Sequence, residues 1–108
     1  MFTALPFTSV EWTAGGHPLE RKKLVGSQPA VLLEFAPDFE DPNWCERAHV
    51  VYVLEGTLEF ILDDSTVRVP AGCGCVLDRG TRHRAKNAAD MPVRLFVVSP
   101  GTGPITRP

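Results

Sequence analysis

Three side chains able to bind a metal or move a proton stand out by their setting: the thiol of Cys45 and the imidazoles of His49 and His83. His83 has the most constrained surroundings. It closes the segment Gly72-Cys73-Gly74-Cys75-Val76-Leu77-Asp78-Arg79-Gly80-Thr81-Arg82-His83. That segment reads as a glycine turn, a short strand, a tight turn at Asp78-Arg79-Gly80 and the start of a second strand. A histidine just after a tight turn is held by backbone on both sides, which is what a metal ligand or a general base requires. His49 opens the apolar run to Glu55, and taken alone a histidine in a strand is more often a hydrogen-bonded interior residue than a ligand. Cys45 by itself reads as a small buried hydrophobe. Cys73 and Cys75 fall on one face of a strand, lack the two further ligands a zinc site would need, and read as structurally buried.

The elements that must hold these residues are strands. Val31–Ala36 is bracketed by Pro29 and Pro37, and His49–Glu55 stops at Gly56. Thr57–Leu62 alternates apolar with polar residues, Asp63-Asp64-Ser65 has turn chemistry, and Val67 and Val69 resume the alternation, so the pair reads as a hairpin. Cys75–Leu77, Thr81–Ala85 and Val93–Val98 complete the set. No window sustains helical apolar spacing. Short strands with Gly and Pro turns predict a single all-β domain, either sandwich or barrel. Residues 1–30 are the least patterned and are expected to wrap or pair with the barrel of residues 31–100, while 101–108 is expected to be a flexible tail. The basic cluster Arg21-Lys22-Lys23, with Glu20 beside it, reads as a solvated strand edge or loop.

The two segments resemble the motifs of the cupin superfamily. Its second motif sets glycine, proline, glycine, histidine and asparagine at fixed spacing. Gly72, Gly80, His83 and Asn87 fall at the required places, with Asp78 where the proline would be. Tyr52-Val53-Leu54-Glu55-Gly56 reproduces the end of the first motif. Counting back from Gly56, the family's glutamate ligand falls at His49, and its paired histidines fall at Asn43 and Cys45. The resemblance spans about residues 30 to 98 and implies a cupin-like antiparallel β-barrel, a double-stranded β-helix or jelly roll. It also implies that Cys45, His49 and His83 converge on one pocket. A Cys-His-His set leaves one coordination position open and favours a divalent metal, zinc first and ferrous iron second. Four residues of straight strand span about 13 Å, so Cys45 and His49 can share an ion only if Glu46-Arg47-Ala48 turns a corner. Trp44 and Tyr52 flank the motif as aromatics that could close the pocket, and Glu34, Arg47 and Arg82 are potential partners for a substrate carboxylate.

The resemblance implies a pocket acting on or binding a small organic molecule, with His49 and His83 as the catalytic groups of a dioxygenase, isomerase, lyase or hydrolase. The alternatives are a metal-free barrel that holds or senses a sugar or small acid, and a metal-free cluster in which a histidine activates the Cys45 thiolate. Composition narrows the partners. With 44% hydrophobic and 22% charged residues, a net charge of -2 and a pI near 5.9, nothing suggests nucleic-acid binding. No apolar run approaches the ~20 residues that cross a bilayer, and Met1 to Pro6 does not read as a secretory signal. Three cysteines cannot all pair within one chain and are read as reduced thiols of a cytoplasmic protein. Val50–Leu54 is apolar on both faces of its strand, so one face needs a cover, and a homodimer is expected.

Overall fold

The computed structural model describes residues 1–100; the tail expected at 101–108 lies outside the described residues. Nine strands form: β1 (Thr13–Ala14), β2 (Glu20–Lys23), β3 (Ala30–Phe35), β4 (His49–Glu55), β5 (Thr57–Ile61), β6 (Thr66–Pro70), β7 (Gly74–Leu77), β8 (Arg84–Lys86) and β9 (Val93–Val98). Among the described residues the single helical element is a 3-10 turn at Phe7–Ser9. The larger sheet has the order β1-β2-β3-β9-β4-β7 and the smaller β6-β5-β8. Every pairing is antiparallel. The sheets face each other without joining into a closed ring.

Alternation decides what lies between them. Val51 and Val53 of β4, Val93, Leu95 and Val97 of β9, and Leu58 and Phe60 of β5 all point inward and are buried, forming one cluster with Phe35, Phe39 and Leu77. Val53 and Leu58 have no solvent exposure, and full burial of such a side chain stabilises by roughly 1.5–3 kcal/mol. Phe39 stacks flat on Phe35 with ring centroids 3.9 Å apart, anchoring the chain as it leaves β3.

The outer face of the large sheet carries charge at one level. Arg21, Glu34, Arg94 and Glu55 stand opposite one another across β2, β3, β9 and β4. Glu34 receives Arg21 at 2.6 Å and Arg94 at 2.7 Å, and Arg94 also reaches Glu55 at 3.6 Å. Burial alone would raise the Glu34 carboxyl, but the two guanidinium bonds outweigh it and hold the group below its ordinary range. Glu34 is therefore engaged on the outside and does not serve the interior. Trp12 lies over this row, its ring 4.3 Å from the Arg21 guanidinium and 4.9 Å from Lys23 Nζ, and Phe7 meets Phe96 edge-on. The basic cluster is accordingly no solvated edge. Strand β2 lies between β1 and β3, Arg21 binds Glu34, and Lys23 donates to the Phe7 carbonyl at 2.7 Å.

Two residues of the sequence motifs have purely structural work. Gly56 links the two sheets with φ +78°, and a Cβ there would stand 2.7 Å from the Pro92 carbonyl, so only glycine fits. Asn87 is 1% exposed; its Nδ2 donates to the carbonyls of Phe35 and Met91 at 3.1 and 2.8 Å, and its Oδ1 accepts from the Ala89 amide. Truncating it leaves buried carbonyls without donors, a loss of about 1–3 kcal/mol. Asn87→Ala is expected to lower the unfolding free energy by that amount, read as a lower urea midpoint with an unchanged slope; an unchanged midpoint would show that the three bonds are replaced by water.

Candidate metal centre

Each member of the site is placed by a different element. His49 is the first residue of β4 and shares the inward face of Val51 and Val53. His83 follows the turn at Gly80, where φ is +91°, and precedes β8 with only 3% of its surface exposed. Cys45 pairs with His83 in an isolated antiparallel bridge, the two residues exchanging both amide–carbonyl bonds at 2.9 Å. The corner required at Glu46-Arg47-Ala48 is present, because Cys45 pairs beside the small sheet while His49 belongs to the large one. Cys45 Sγ and His49 Nε2 stand 3.7 Å apart, and the ligand atoms of Cys45, His49 and His83 all lie within 4.8 Å of one another.

The hydrogen bonds behind the imidazoles prepare them to donate lone pairs. His83 Nδ1 is 2.8 Å from the Thr81 carbonyl. A carbonyl can only accept, so the proton sits on Nδ1 and the Nε2 lone pair is free. His49 Nδ1 bonds Ser99 Oγ at 2.8 Å, again leaving Nε2 towards the cluster. Metal-ligating histidines commonly have their second nitrogen tied in this way. Burial, then the charges of His83 and Arg47, push the His49 pKa down to about 4, so its ring is neutral at pH 7. A thiol and two imidazoles held on separate elements suit a tetrahedral ion with one position open. The donor set fits a divalent metal.

The cluster faces a cavity of about 710 Å³ between the sheets, within the range of small-molecule sites. Its floor is apolar, from Val31, Leu33, Val51, Leu95 and Val97 on the large sheet and Phe60 opposite. Phe60 meets the His83 ring edge-on at 5.9 Å between centroids. Trp44 lines the cavity, its outer ring face carrying the Arg82 guanidinium at 4.2 Å. Arg82 itself reaches Asp63 at 3.3 Å and does not line the cavity. Tyr52 does not close the pocket either: it has the opposite parity to His49 and Val51, pairs with Phe96, and is 46% exposed on the outer face. Arg47 and Asn43 do line the cavity. Sequence reasoning did not place Glu20, Lys22 and Asp41 there; the inward alternation of β2 would have revealed the first two only once β2 was known to pair with β3. Burial raises the Glu20 and Asp41 carboxyls, and in Glu20 the charge of Asp41 adds to it. Cys75 is half-buried, and burial pushes its thiol up, as expected of a packing residue. Cys73 departs from the expectation of burial, because it lies in the turn before β7 and is exposed.

An antiparallel two-sheet fold with a nitrogen-and-sulfur cluster in its interior defines the class, and comparison places it. The sequence profile of the cupin domain (Cupin_2) matches residues 31–99, and the chain belongs to the cupin family. The polyketide cyclase RemF from Streptomyces resistomycificus is 26% identical, with a TM-score of 0.73 over 93% of this chain and 80% of that one. KdgF from Halomonas sp. is 20% identical, with a TM-score of 0.77 over 94% of this chain and 96% of that one. A sugar phosphate isomerase of the cupin superfamily from Silicibacter pomeroyi is 21% identical, with a TM-score of 0.75 over 93% and 76% of the two chains. The last two likenesses are of fold. No curated protein sequence matches the chain significantly.

The lowered pKa of His49 has a measurable sign. The unfolded chain takes up this proton near pH 6.5, before the folded one does near 4. The metal-free protein is therefore expected to lose stability as pH falls through that window, with no contribution from His49 to pH dependence above it. Imidazole NMR resonances should place the His49 midpoint near 4; a midpoint at or above the ordinary value would show the ring to be solvated.

Proposed function

We propose that this cupin binds a single divalent metal, zinc in first place and iron in second, through Cys45, His49 and His83, and acts on a small organic molecule held in the adjoining cavity. The observation that carries the reading is the convergence of three donor atoms within 4.8 Å at the wall of a ligand-sized cavity. The relatives support the substrate class, since one is a polyketide cyclase and another a sugar phosphate isomerase.

Cys45, His49 and His83 would hold the ion, which would supply Lewis-acid polarisation of a substrate oxygen. The chain does the rest. The Thr81 carbonyl fixes the His83 tautomer, and Ser99 orients the His49 ring. Bound to the ion as thiolate, Cys45 would offset part of its charge and bias the site towards zinc. Phe60 and Val51 keep water from the inner side, which strengthens every electrostatic contact made there. His49 and His83 are the groups placed to hold or accept a proton should the site work without an ion.

Elemental analysis of protein purified without a histidine tag is expected to find one zinc or iron per chain. Cys45→Ala and His83→Ala should each weaken metal binding by at least about tenfold, while the β-sheet signal in circular dichroism is retained. Protein that takes up no ion when zinc and iron are offered, or variants with unchanged affinity, would sink this reading.

Two further features belong to the proposal. All three cysteines are free thiols, which suits the reducing cytoplasm, and among the described residues no helix is long and apolar enough to cross a membrane. The outer face of β4 and β7 exposes Val50, Tyr52, Leu54 and Val76 together, a contiguous apolar surface of the kind that pairs with another copy. Sedimentation analysis is expected to give twice the chain mass, falling to one chain mass in Tyr52→Glu/Val76→Glu. A monomeric wild type would assign that face to another role.

A further inference from the structure

The cavity is lined by two cations that form no ion pair. Among the described residues, Arg21, Arg68, Arg82, Arg84 and Arg94 each reach a carboxylate in an ion pair, and Lys23 is bonded to a carbonyl. Lys22 and Arg47, the two that line the cavity, have no carboxylate within ion-pair distance. Lys22 sits opposite Leu33 on β2 and shares its inward face. Arg47 precedes His49 by two residues and lines the same cavity. Lys22 is half-buried and Arg47 exposed; with no ion pair, each keeps its charge available to an anionic group in the cavity.

The charge count points the same way. Glu20 and Asp41 also line the cavity, and burial disfavours the ionised form of both. Even with both ionised, they only balance Lys22 and Arg47. A divalent ion held by one thiolate and two neutral imidazoles then leaves the loaded cavity net positive. Between the two cations runs the apolar floor of Val31, Leu33, Leu95 and Val97. Strands β2 and β4 are separated by β3 and β9, which places the two sides of that floor roughly 14 Å apart. A hydrocarbon body of one or two rings that carries negative charge matches this span and this charge balance.

Resting on the metal-site reading above, we infer that the cavity selects a small organic anion, a carboxylate on an apolar ring body, and that Lys22 and Arg47 are its specificity-determining residues. A neutral polyol would leave both cations uncompensated and would set its hydroxyls against the valine and leucine floor. The preference is therefore electrostatic at the ends and apolar in the middle.

The test is calorimetric titration of the full-length, zinc-loaded protein with 2-naphthoate, 2-naphthamide and glucose, repeated on metal-free protein. Naphthoate is expected to bind at least about tenfold more tightly than the isosteric amide, with glucose weaker than both. Lys22→Met and Arg47→Met should each reduce naphthoate affinity by about tenfold, as expected for a charge-assisted contact, and leave naphthamide affinity unchanged; Lys22→Met should also leave zinc affinity unchanged. Lys22→Arg should restore most of the loss. Circular dichroism establishes that each variant folds. Equal binding of acid and amide, a preference for glucose, absence of naphthoate binding, or an unaffected Lys22→Met/Arg47→Met double variant would each overturn the inference. Failure of the metal reading is separately visible: zinc would not bind, while the acid-over-amide preference and its dependence on Lys22 would persist in metal-free protein.

Discussion

The pair of backbone hydrogen bonds between Cys45 and His83 is the constraint on which the site depends. In an antiparallel pair, residues that exchange both bonds lie directly opposite, with Cα atoms about 5.5 Å apart and side chains on one face. That geometry brings a thiol from an irregular segment beside an imidazole from the start of β8. The same segment is tied along its length. Asp41 donates its amide to the Ala85 carbonyl and accepts the Ala85 amide on its carboxylate, and Phe39 accepts from the Asn87 amide. Residues 39–45 are thus tied alongside β8 by two isolated bridges, at Glu40–Lys86 and Cys45–His83. The corner that follows delivers His49 to the large one. One metal-sized cluster therefore spans both sheets, and its position is fixed by main chain more than by side-chain packing.

The division between the two faces of the large sheet follows from the period-two alternation of its strands. Outside, Arg21, Glu34, Arg94 and Glu55 compensate one another across four strands. Inside, the same strands contribute an apolar floor with charges only at its margins. A slip of one residue in β2 would exchange Arg21 with Lys22, losing the outer pairing and altering the cavity at once. The outer ion pairs thus specify register, and register decides which cation reaches the ligand space.

Much of this was legible from the residues. The strands from Ala30 onward, the hairpin at Asp63-Asp64-Ser65, and the placing of His49 and His83 follow from alternation and from glycines at fixed spacing. The motif positions Gly56 and Asn87 were readable as positions, but their reasons lie in distant contacts: Pro92 for the one, Phe35 and Met91 for the other. Strands β1 and β2 were not legible because Thr13-Ala14 is too short to show a period, and Glu20–Lys23 is uniformly charged. Its inward residues are recognised only through pairing with β3. Tyr52 and Glu34, offered as potential pocket residues, face outward for a related reason, since parity along a strand is known only relative to a buried neighbour. Cys73 was read as a strand residue, and the strand begins one position later.

The chain has two tryptophans, and their surroundings make them independent optical gauges. Trp12 rests on the outer row of Arg21, Lys23 and Arg94, while Trp44 has one ring face against arginines and a share in the cavity wall. Emission from Trp44 responds to whatever enters the cavity, including quenching by a paramagnetic ion at the adjoining cluster. Emission from Trp12 follows the integrity of the outer sheet. With either indole replaced by phenylalanine, the remaining one separates filling of the interior from loosening of the scaffold, with no attached dye.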